Sequence, residues 1–219
     1  GLAAWSPGLN DWQAGATGLH ELQLRSKATM LAANLVVAPP TSAAPSASAP
    51  TTAAAPSSTP TAIREINGVK VGLVGVSQPT RMGLAPEGVK VNPAAGALER
   101  GIADLKSRGA QVLVAIMAMP RGEALRLVES VGADLQVAVI GKPFDQGEGN
   151  DKPAPAALLG KTLVVETANH LQSVGVVDLF VRGGSFEFQD AAGIARNEDR
   201  AVLKGREEDL TSKIRRCKK

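Results

Sequence analysis

Cysteine, histidine and aromatic residues are scarce in this chain of 219 residues. It has one cysteine (Cys217), two histidines and no tyrosine, and aromatic residues make up 3% of it. A single cysteine excludes an intrachain disulfide, and it excludes a zinc or iron–sulfur site built from cysteines of this chain. Because aromatic residues are so few, the core must be built from Val, Leu, Ile and Ala, which favours a buried sheet covered by Ala-rich helices.

A strong excess of charge is also missing. The formal net charge is +3, from 24 basic and 21 acidic residues, which is too small to indicate a nucleic-acid partner. No basic stripe with flanking aromatic residues is present for stacking on bases. The basic excess lies in the final "KIRRCKK", which we interpret as a solvated terminus.

Long apolar runs are absent as well. None reaches the roughly 20 residues of a membrane-spanning helix, so no membrane span is predicted. The opening "GLAAWSPG" lacks the basic region and the long apolar core of a signal peptide, and it lacks an initiator Met. We expect the chain to be a processed product or a piece of a longer protein.

A low-complexity tract interrupts the chain early. The stretch from Pro39 to Thr61 contains little besides Pro, Ala, Ser and Thr. Its proline residues disfavour helix and sheet, and its small side chains bury little surface, so it predicts a disordered insertion. The expected organisation is 1–38 and 63–195 as two parts of one domain, 39–62 as the insertion, and 196–219 as a charged C-terminal helix.

Alternating strands and helices are predicted around the tract. Before it, Thr17–Asn34 predicts a helix that runs into a short extended segment, with Leu19, Leu22, Met30 and Leu31 at near-helical spacings, and a strand is predicted at Leu35–Val37. The later strands are Val69–Val76, Gln111–Met117, Leu135–Ile140, Thr162–Glu166, Val174–Val181 and Ser185–Phe188, the last two forming a hairpin, and the later helices are Ala94–Ser107 and Gly122–Ser130. This order predicts an α/β layered domain with a mixed sheet, or with a second sheet packed on the first.

The C-terminal segment carries a thin apolar stripe. Leu203, Leu210 and Cys217 are seven residues apart, with Ile214 between them. The stripe is too short to indicate a coiled coil, so we favour a surface helix packed on its own domain. Self-association or binding of a protein partner through this helix is the alternative.

Five stretches carry a resemblance to a known family. They are "GLNDWQAGATGLHEL", "MLAANLV", "INGVKVGLVGVSQP", "IADLKSRGAQVLVAIM" with "GEALRLVESVGADLQVAVIGKP", and "TLVVETANHLQSVGVVDLFV". In this order they resemble the 5′-nucleotidase branch of the calcineurin-like metallophosphoesterases. The resemblance implies a layered α/β domain with mixed sheets flanked by helices. It also implies export, so a periplasmic or extracellular location is expected.

The residues that hold metal in that family are replaced here. The family uses Asp, His and Asn side chains to bind two divalent metals, which activate a water for in-line attack on phosphorus. In its Gly-Asn-His-Glu loop, Leu9 stands at the metal-binding Asn, Asn10 at the catalytic His and Asp11 at the Glu. "MAMP" replaces a later His, and "GKPFD" replaces a Gly-His-x-His motif. The family's earliest motifs would lie before Gly1.

The remaining metal-binding side chains give no second site. His20 and His170 are isolated from other ligands, and a lone histidine more often makes a local hydrogen bond. The carboxylates Asp145, Glu148 and Asp151 follow one strand in a Gly-rich loop that could hold Ca²⁺ or Mg²⁺. Their spacing does not match an EF-hand, so a solvated loop is expected.

The sequence therefore predicts a non-catalytic metallophosphoesterase-like domain, without metal or other cofactor, that serves as a structural or interaction module. Its expected binding surface is the old cleft edge, formed by Asn10, Asp11, Lys142 and Asp145. Two alternatives remain open. One is a phosphoesterase whose metal ligands lie partly outside this chain, and the other is a binder of small anionic ligands that uses the old cleft.

Overall fold

A computed structural model describes residues 2–12, 15–37, 59–78, 88–131, 134–141, 154–167 and 174–179, together with 204, 207 and 208. The helices are α1 (Gly15–Ser26), α2 (Ala94–Ser107) and α3 (Arg121–Val131), and a 3-10 turn spans Leu9–Trp12. The strands are β1 (Ala4–Trp5), β2 (Thr29–Met30), β3 (Leu35–Val37), β4 (Thr61–Ile66), β5 (Val69–Ser77), β6 (Val89–Val91), β7 (Val112–Ala118), β8 (Val137–Gly141), β9 (Ala157–Leu159) and β10 (Thr162–Glu166).

The main sheet has six strands in the order β4-β5-β7-β8-β10-β9. The four inner strands are parallel to one another, and the two edge strands are antiparallel to their neighbours. The predicted mixed sheet is thus confirmed. Two small sheets accompany it, a parallel pair of β1 with β2 and an antiparallel pair of β3 with β6.

The core of the main sheet follows from the apolar pattern of α2. Leu98, Ile102 and Leu105 lie on one helical face and are buried, as the sequence predicts. They belong to one apolar cluster with the inward-facing residues of β5, β7 and β8. The helix approaches β5 closely at Gly101, where an added Cβ would lie 2.6 Å from Val74 Cγ2.

A second, smaller core joins the N-terminal elements. It contains the apolar residues Trp12, Leu19, Met30, Ala32, Leu35 and Val89, with Trp5 packed against them. Apart from Ala32, which lies between β2 and β3, these residues come from the 3-10 turn, α1 and the two small sheets. Short elements that could not fold alone therefore share one apolar cluster.

The helix predicted within Thr17–Asn34 ends earlier than its near-helical apolar spacing, which continues to Leu31, indicates. Helix α1 ends at Ser26, and Lys27 adopts a left-handed conformation with φ of 54° that ends the helix. Met30 then lies in β2 and is buried by the small core. Contacts with other segments therefore decide its conformation, although its spacing from Leu19 is near-helical.

The predicted strand Val174–Val181 is also wrong where the structure describes it. Residues 174–179 have no regular secondary structure, and Val174 and Val176 are 86% and 79% exposed. β-branched residues favour a strand only when a neighbouring strand pairs with them, and no described strand pairs with this segment. The predicted strand Ser185–Phe188 lies outside the described residues.

The tract ends earlier than predicted. Thr59 forms a bridge with Leu31, and β4 begins at Thr61, which pairs with Val74 of β5. The last residue of the tract is therefore part of the sheet, because its backbone bonds to an inner strand. Residues 38–58 and most of 196–219 lie outside the described residues, so the disordered insertion and the C-terminal helix stay predictions.

None of the helices in the described ranges is long and apolar enough to cross a membrane.

Candidate functional site

The parallel strands of the main sheet end at one edge, which is where sites form in open α/β sheets. Ser77 ends β5, Ala118 ends β7, Gly141 ends β8 and Glu166 ends β10. The registers Ser77↔Ala118 and Ala118↔Gly141 bring three of these strand ends side by side. We call this set of residues the carboxyl edge.

The N-terminal loop is attached to the carboxyl edge by two hydroxyl groups. The Ser77 hydroxyl donates a hydrogen bond to the carbonyl of Pro7. The Ser6 hydroxyl donates to the carbonyl of Val76 over 3.1 Å. Because Ser6 and Pro7 immediately precede the 3-10 turn, these contacts attach the loop that carries Asn10 and Asp11 to the end of β5.

Asp11 closes the 3-10 turn on itself. The Gly8 amide donates to Asp11 Oδ2 over 2.7 Å, and the Asp11 amide donates back to the Gly8 carbonyl over 3.2 Å. Burial raises the pKa of the Asp11 carboxyl, and the hydrogen bond from Gly8 opposes this in part. The carboxylate therefore has a structural partner within its own loop. Of the other two expected binding residues, Lys142 and Asp145, the structure describes neither.

Asn34 joins the small sheets to the carboxyl edge. Its side chain is buried, donates from Nδ2 to the Ser77 carbonyl over 2.7 Å, and accepts from the Ser77 amide over 2.9 Å. The Asn92 amide donates to the Asn34 carbonyl over 2.8 Å. The Asn34 side-chain amide thus pairs with β5 as a strand would. The stretch "MLAANLV" contributes to the family resemblance, but the sequence did not predict this role for Asn34, although a polar residue among apolar ones was a usable signal.

The described carboxyl edge does not match the donor set of a metal pair. Ala118 and Met119 are buried where the resemblance implies histidine. The one carboxylate at the described strand ends, Glu166, accepts a hydrogen bond from Arg121 Nη1 over 2.6 Å. Within the described ranges, no group of three or more His, Cys, Asp or Glu is placed to hold a metal ion.

The two histidines give no metal site either. His20 lies on α1, as the sequence indicates, and its Nδ1 atom is buried without a hydrogen-bond partner among the described residues. His170, Glu148 and Asp151 lie outside the described residues, so their predicted roles stay untested.

A groove opens beside the carboxyl edge, between the start of α2 and one face of α3. Its cavity volume is about 410 Å³. The lining residues are Asn34, Ser77, Gln78, Val91, Asn92, Ala94, Ala95, Met119, Glu123, Arg126, Leu127 and Ser130. Sequence reasoning did not identify this groove, because its residues come from several separate stretches of the chain.

Comparison with solved structures identifies the fold. The chain superposes on a 5′-nucleotidase precursor from Thermus thermophilus with a TM-score of 0.54 and 17% identity, over 75% of this chain and 32% of that one. It superposes on the sulfate thiohydrolase SoxB of Thermus thermophilus with a TM-score of 0.55 and 16% identity, over 76% of this chain and 28% of that one. It superposes on the NAD nucleotidase NadN of Haemophilus influenzae with a TM-score of 0.52 and 17% identity, over 74% of this chain and 33% of that one.

The chain therefore has a metallophosphoesterase fold of the 5′-nucleotidase type, as its sequence motifs predict. It spans about a third or less of the length of these three structures. No family model and no curated protein matches the chain. At these low identities the likeness shows the fold alone.

Proposed function

We propose that this chain is a non-catalytic 5′-nucleotidase-like domain that serves as a structural or interaction module. One observation carries the proposal. At the ends of β5 and β7 and in the residue that follows each, where this fold would place metal ligands, the chain has hydroxyl, amide, methyl and thioether side chains, those of Ser77, Gln78, Ala118 and Met119. The single carboxylate at the described strand ends of the carboxyl edge, Glu166, is held by Arg121.

Two-metal phosphoryl chemistry needs several anionic or imidazole ligands around ions roughly 4 Å apart. Ser77, Gln78 and Met119 are neutral, and a thioether is a poor ligand for the hard cations that such sites use. Leu9 and Asn10, which replace the Asn and His of the family's loop, also remove metal-binding side chains. The metal ligands are therefore replaced in several separate segments of the site.

The interaction surface that we propose is the cleft edge formed by Asn10, Asp11, Lys142 and Asp145. The 3-10 turn presents an exposed Asn10 beside the end of β5, which supports the first half of this surface. Lys142 follows the last residue of β8 in the sequence and adds a positive charge that favours an anionic partner group and disfavours a divalent cation. We also propose a periplasmic or extracellular location, which the resemblance to exported enzymes supports.

Metal analysis and a phosphatase assay test the proposal. We expect the purified chain to contain less than one equivalent of transition metal, and to release no phosphate from nucleoside monophosphates in added Mn²⁺. Asp11→Ala is the matched variant, because Asp11 is the carboxylate that replaces the loop Glu. Two bound equivalents of metal, with turnover that Asp11→Ala abolishes, would overturn the proposal and support the alternative of an active hydrolase.

A second candidate function, binding of a small ligand, is favoured by the groove between α2 and α3. Its volume lies within the roughly 300–1,000 Å³ of small-molecule sites. Binding of a small ligand in this groove requires no metal and no catalysis, so this second function is compatible with the first proposal.

A further inference from the structure

The hairpin between β4 and β5 turns through two residues, Asn67 and Gly68. Ile66 pairs with Val69 on either side of them, and their φ angles are 50° and 79°. Two successive positive φ angles in a two-residue hairpin define a type I′ turn, for which Asn-Gly is a preferred sequence. The hairpin therefore fixes this dipeptide in the left-handed backbone conformation.

The same dipeptide is the place where an asparagine of this chain is most open to chemical change. Asn-Gly occurs once in the sequence, and both residues are exposed. The backbone nitrogen that follows an asparagine is a nucleophile near its side-chain carbonyl carbon, and a Cβ on the following residue hinders the attack. Glycine has no Cβ, and no atom beyond its two chain neighbours lies within 4 Å of a Cβ built on Gly68. Neither burial nor a bulky neighbour therefore protects Asn67.

The backbone conformation of the turn protects Asn67 instead. The left-handed conformation has ψ of about +47°, and in an L-residue this value sets the next nitrogen anti to Cβ about the Cα–C bond. Attack on Cγ closes a succinimide ring, in which that nitrogen and Cβ must be nearly eclipsed. The folded hairpin thus holds the Gly68 nitrogen away from Asn67 Cγ, and the turn must open before ψ can rotate.

We propose that Asn67 is a deamidation site that the folded hairpin protects and that reacts when the turn opens. In the open turn the Gly68 nitrogen attacks Asn67 Cγ and a C–N bond forms. The side-chain nitrogen leaves as ammonia and takes the proton of the Gly68 amide, which leaves a succinimide. Water then adds to one of the two ring carbonyls and breaks its bond to the ring nitrogen, so the product is aspartate or isoaspartate.

The isoaspartate product disrupts the edge of the main sheet. It carries the chain through its side-chain carbon and so lengthens the backbone of the turn, which no longer fits the Ile66–Val69 pairing. Strand β4 is an edge strand and pairs with β5 alone among the described strands, so no second strand keeps it in place. The change is covalent, and a chain that has reacted does not recover the native turn. This site is independent of the proposed non-catalytic role.

Peptide mapping by mass spectrometry tests the proposal on the whole chain, incubated at mildly alkaline pH either folded or unfolded in urea. Trypsin releases residues 65–70, in which Asn67 is the only asparagine, and residues 91–100, which contain only Asn92. We expect deamidation of Asn67 to be about tenfold slower or more in the folded chain, because attack waits for local opening of the turn. Asn92 precedes Pro93, whose nitrogen carries no hydrogen, so Asn92 is the internal control and should stay unchanged in both samples.

Two variants separate the chemistry from its structural effect. Asn67→Gln would need a larger ring for the same attack, so its peptide should not react during the incubation. Freshly prepared Asn67→Asp adds the charge of the product but keeps the turn, since Asp-Gly also suits type I′. Its urea midpoint should stay near that of the fresh wild type, whereas wild type aged in urea and refolded should have a lower midpoint and aged Asn67→Gln should not.

Equal rates in the folded and unfolded chain would overturn the protection by the turn. An Asn67 that survives in urea as long as Asn92 does would overturn the site itself. Equal urea midpoints for aged wild type and fresh Asn67→Asp would overturn the disruption of the sheet edge by isoaspartate.

Discussion

Gly75 is the residue whose lack of a side chain most tightly constrains the packing of the N-terminal segment. An added Cβ at Gly75 would lie 2.2 Å from the Leu31 carbonyl oxygen and 2.5 Å from Leu31 Cβ. At this point the Ala33 amide also donates to the Gly75 carbonyl over 2.8 Å. The backbone of the Leu31–Asn34 segment therefore lies directly against β5.

We predict that Gly75→Ala lowers the free energy of unfolding by roughly 1–3 kcal/mol or more, because backbone atoms must move to admit the methyl group. Gly96→Ala on α2 is the control. Its new Cβ would meet the flexible tip of Arg100 at 3.3 Å, and alanine favours helix over glycine by up to about 1 kcal/mol. Urea unfolding followed by circular dichroism measures both, and equal midpoints would contradict the packing described.

The Asp11 carboxyl leads to a pH-dependent prediction. Burial raises the pKa of Asp11 in the folded state, so the folded protein binds this proton more tightly than the unfolded chain does. The stability that Asp11 contributes is full below its unfolded pKa of about 4 and is lost as pH rises through the folded pKa. Asp11→Asn keeps an oxygen that accepts from the Gly8 amide. Its stability relative to the wild type should therefore increase from pH 3.5 to pH 7.

Asp104 is the matched control because its shift has the opposite sign. Hydrogen bonds from Thr61 and Arg108 hold the pKa of Asp104 below its usual value, over 2.7 Å and 2.9 Å. This stabilisation is present above the unfolded pKa and is lost as pH falls through the folded pKa. Asp104→Asn should therefore lose stability relative to the wild type from pH 3.5 to pH 7. Parallel trends in the two variants, measured by urea unfolding across this range, would contradict the assignment.

At the scale of elements, one ion pair attaches α3 to the main sheet. Arg121 begins α3 and Glu166 ends β10, and their side chains are 35% and 8% exposed at a separation of 2.6 Å. We predict that Arg121→Gln costs roughly 1–3 kcal/mol of unfolding free energy, because it leaves a buried carboxylate without its charged partner. The partial exposure of Arg121 keeps the cost below that of a fully buried pair.

The double variant Arg121→Gln with Glu166→Gln should cost less than the sum of the two single changes, which a double-mutant cycle measures. The surface pair Lys106–Asp134, at 2.7 Å with side chains 49% and 55% exposed, is the control. Lys106→Gln should cost less than about 1 kcal/mol. Additive effects at Arg121 and Glu166 would show that the pair does not hold α3 in place.

The elements also show which parts of the fold a sequence pattern can predict. Helix α2 and the strands β3 and β10 were predicted with the bounds that the structure has, and β5 and α3 were predicted to within one residue at each end. Each of α2, β5 and α3 has a clear apolar period of its own. The strands β1, β2, β6 and β9 were missed, and each has only two or three residues, which carry no period. Strand β3 is equally short and was indicated by its apolar run alone. The six-residue strand β4 was also missed, because Thr61 was assigned to the low-complexity tract.

At the scale of the whole molecule, the short N-terminal elements and the main sheet act together to form the site. The loop with Asn10 and Asp11, the β3–β6 pair and the carboxyl edge meet through the side chains of Ser77 and Asn34. Asn34, Ser77 and the adjacent Gln78 also line the groove. A change at Ser77 or Asn34 would therefore affect both the cleft edge and the groove.

The sequence by itself determined the class of the fold and the order of the main strands and helices, and it predicts that the metal ligands of the family it resembles are replaced. These follow from local apolar periods and from motifs that occupy short continuous stretches. Only the tertiary structure decided where α1 ends, whether residues 174–179 pair as a strand, what Asn34 binds, and which residues surround the groove. Each of these depends on contacts between segments far apart in the chain, such as Asn34 with Ser77, and no local pattern encodes which distant partner a residue meets.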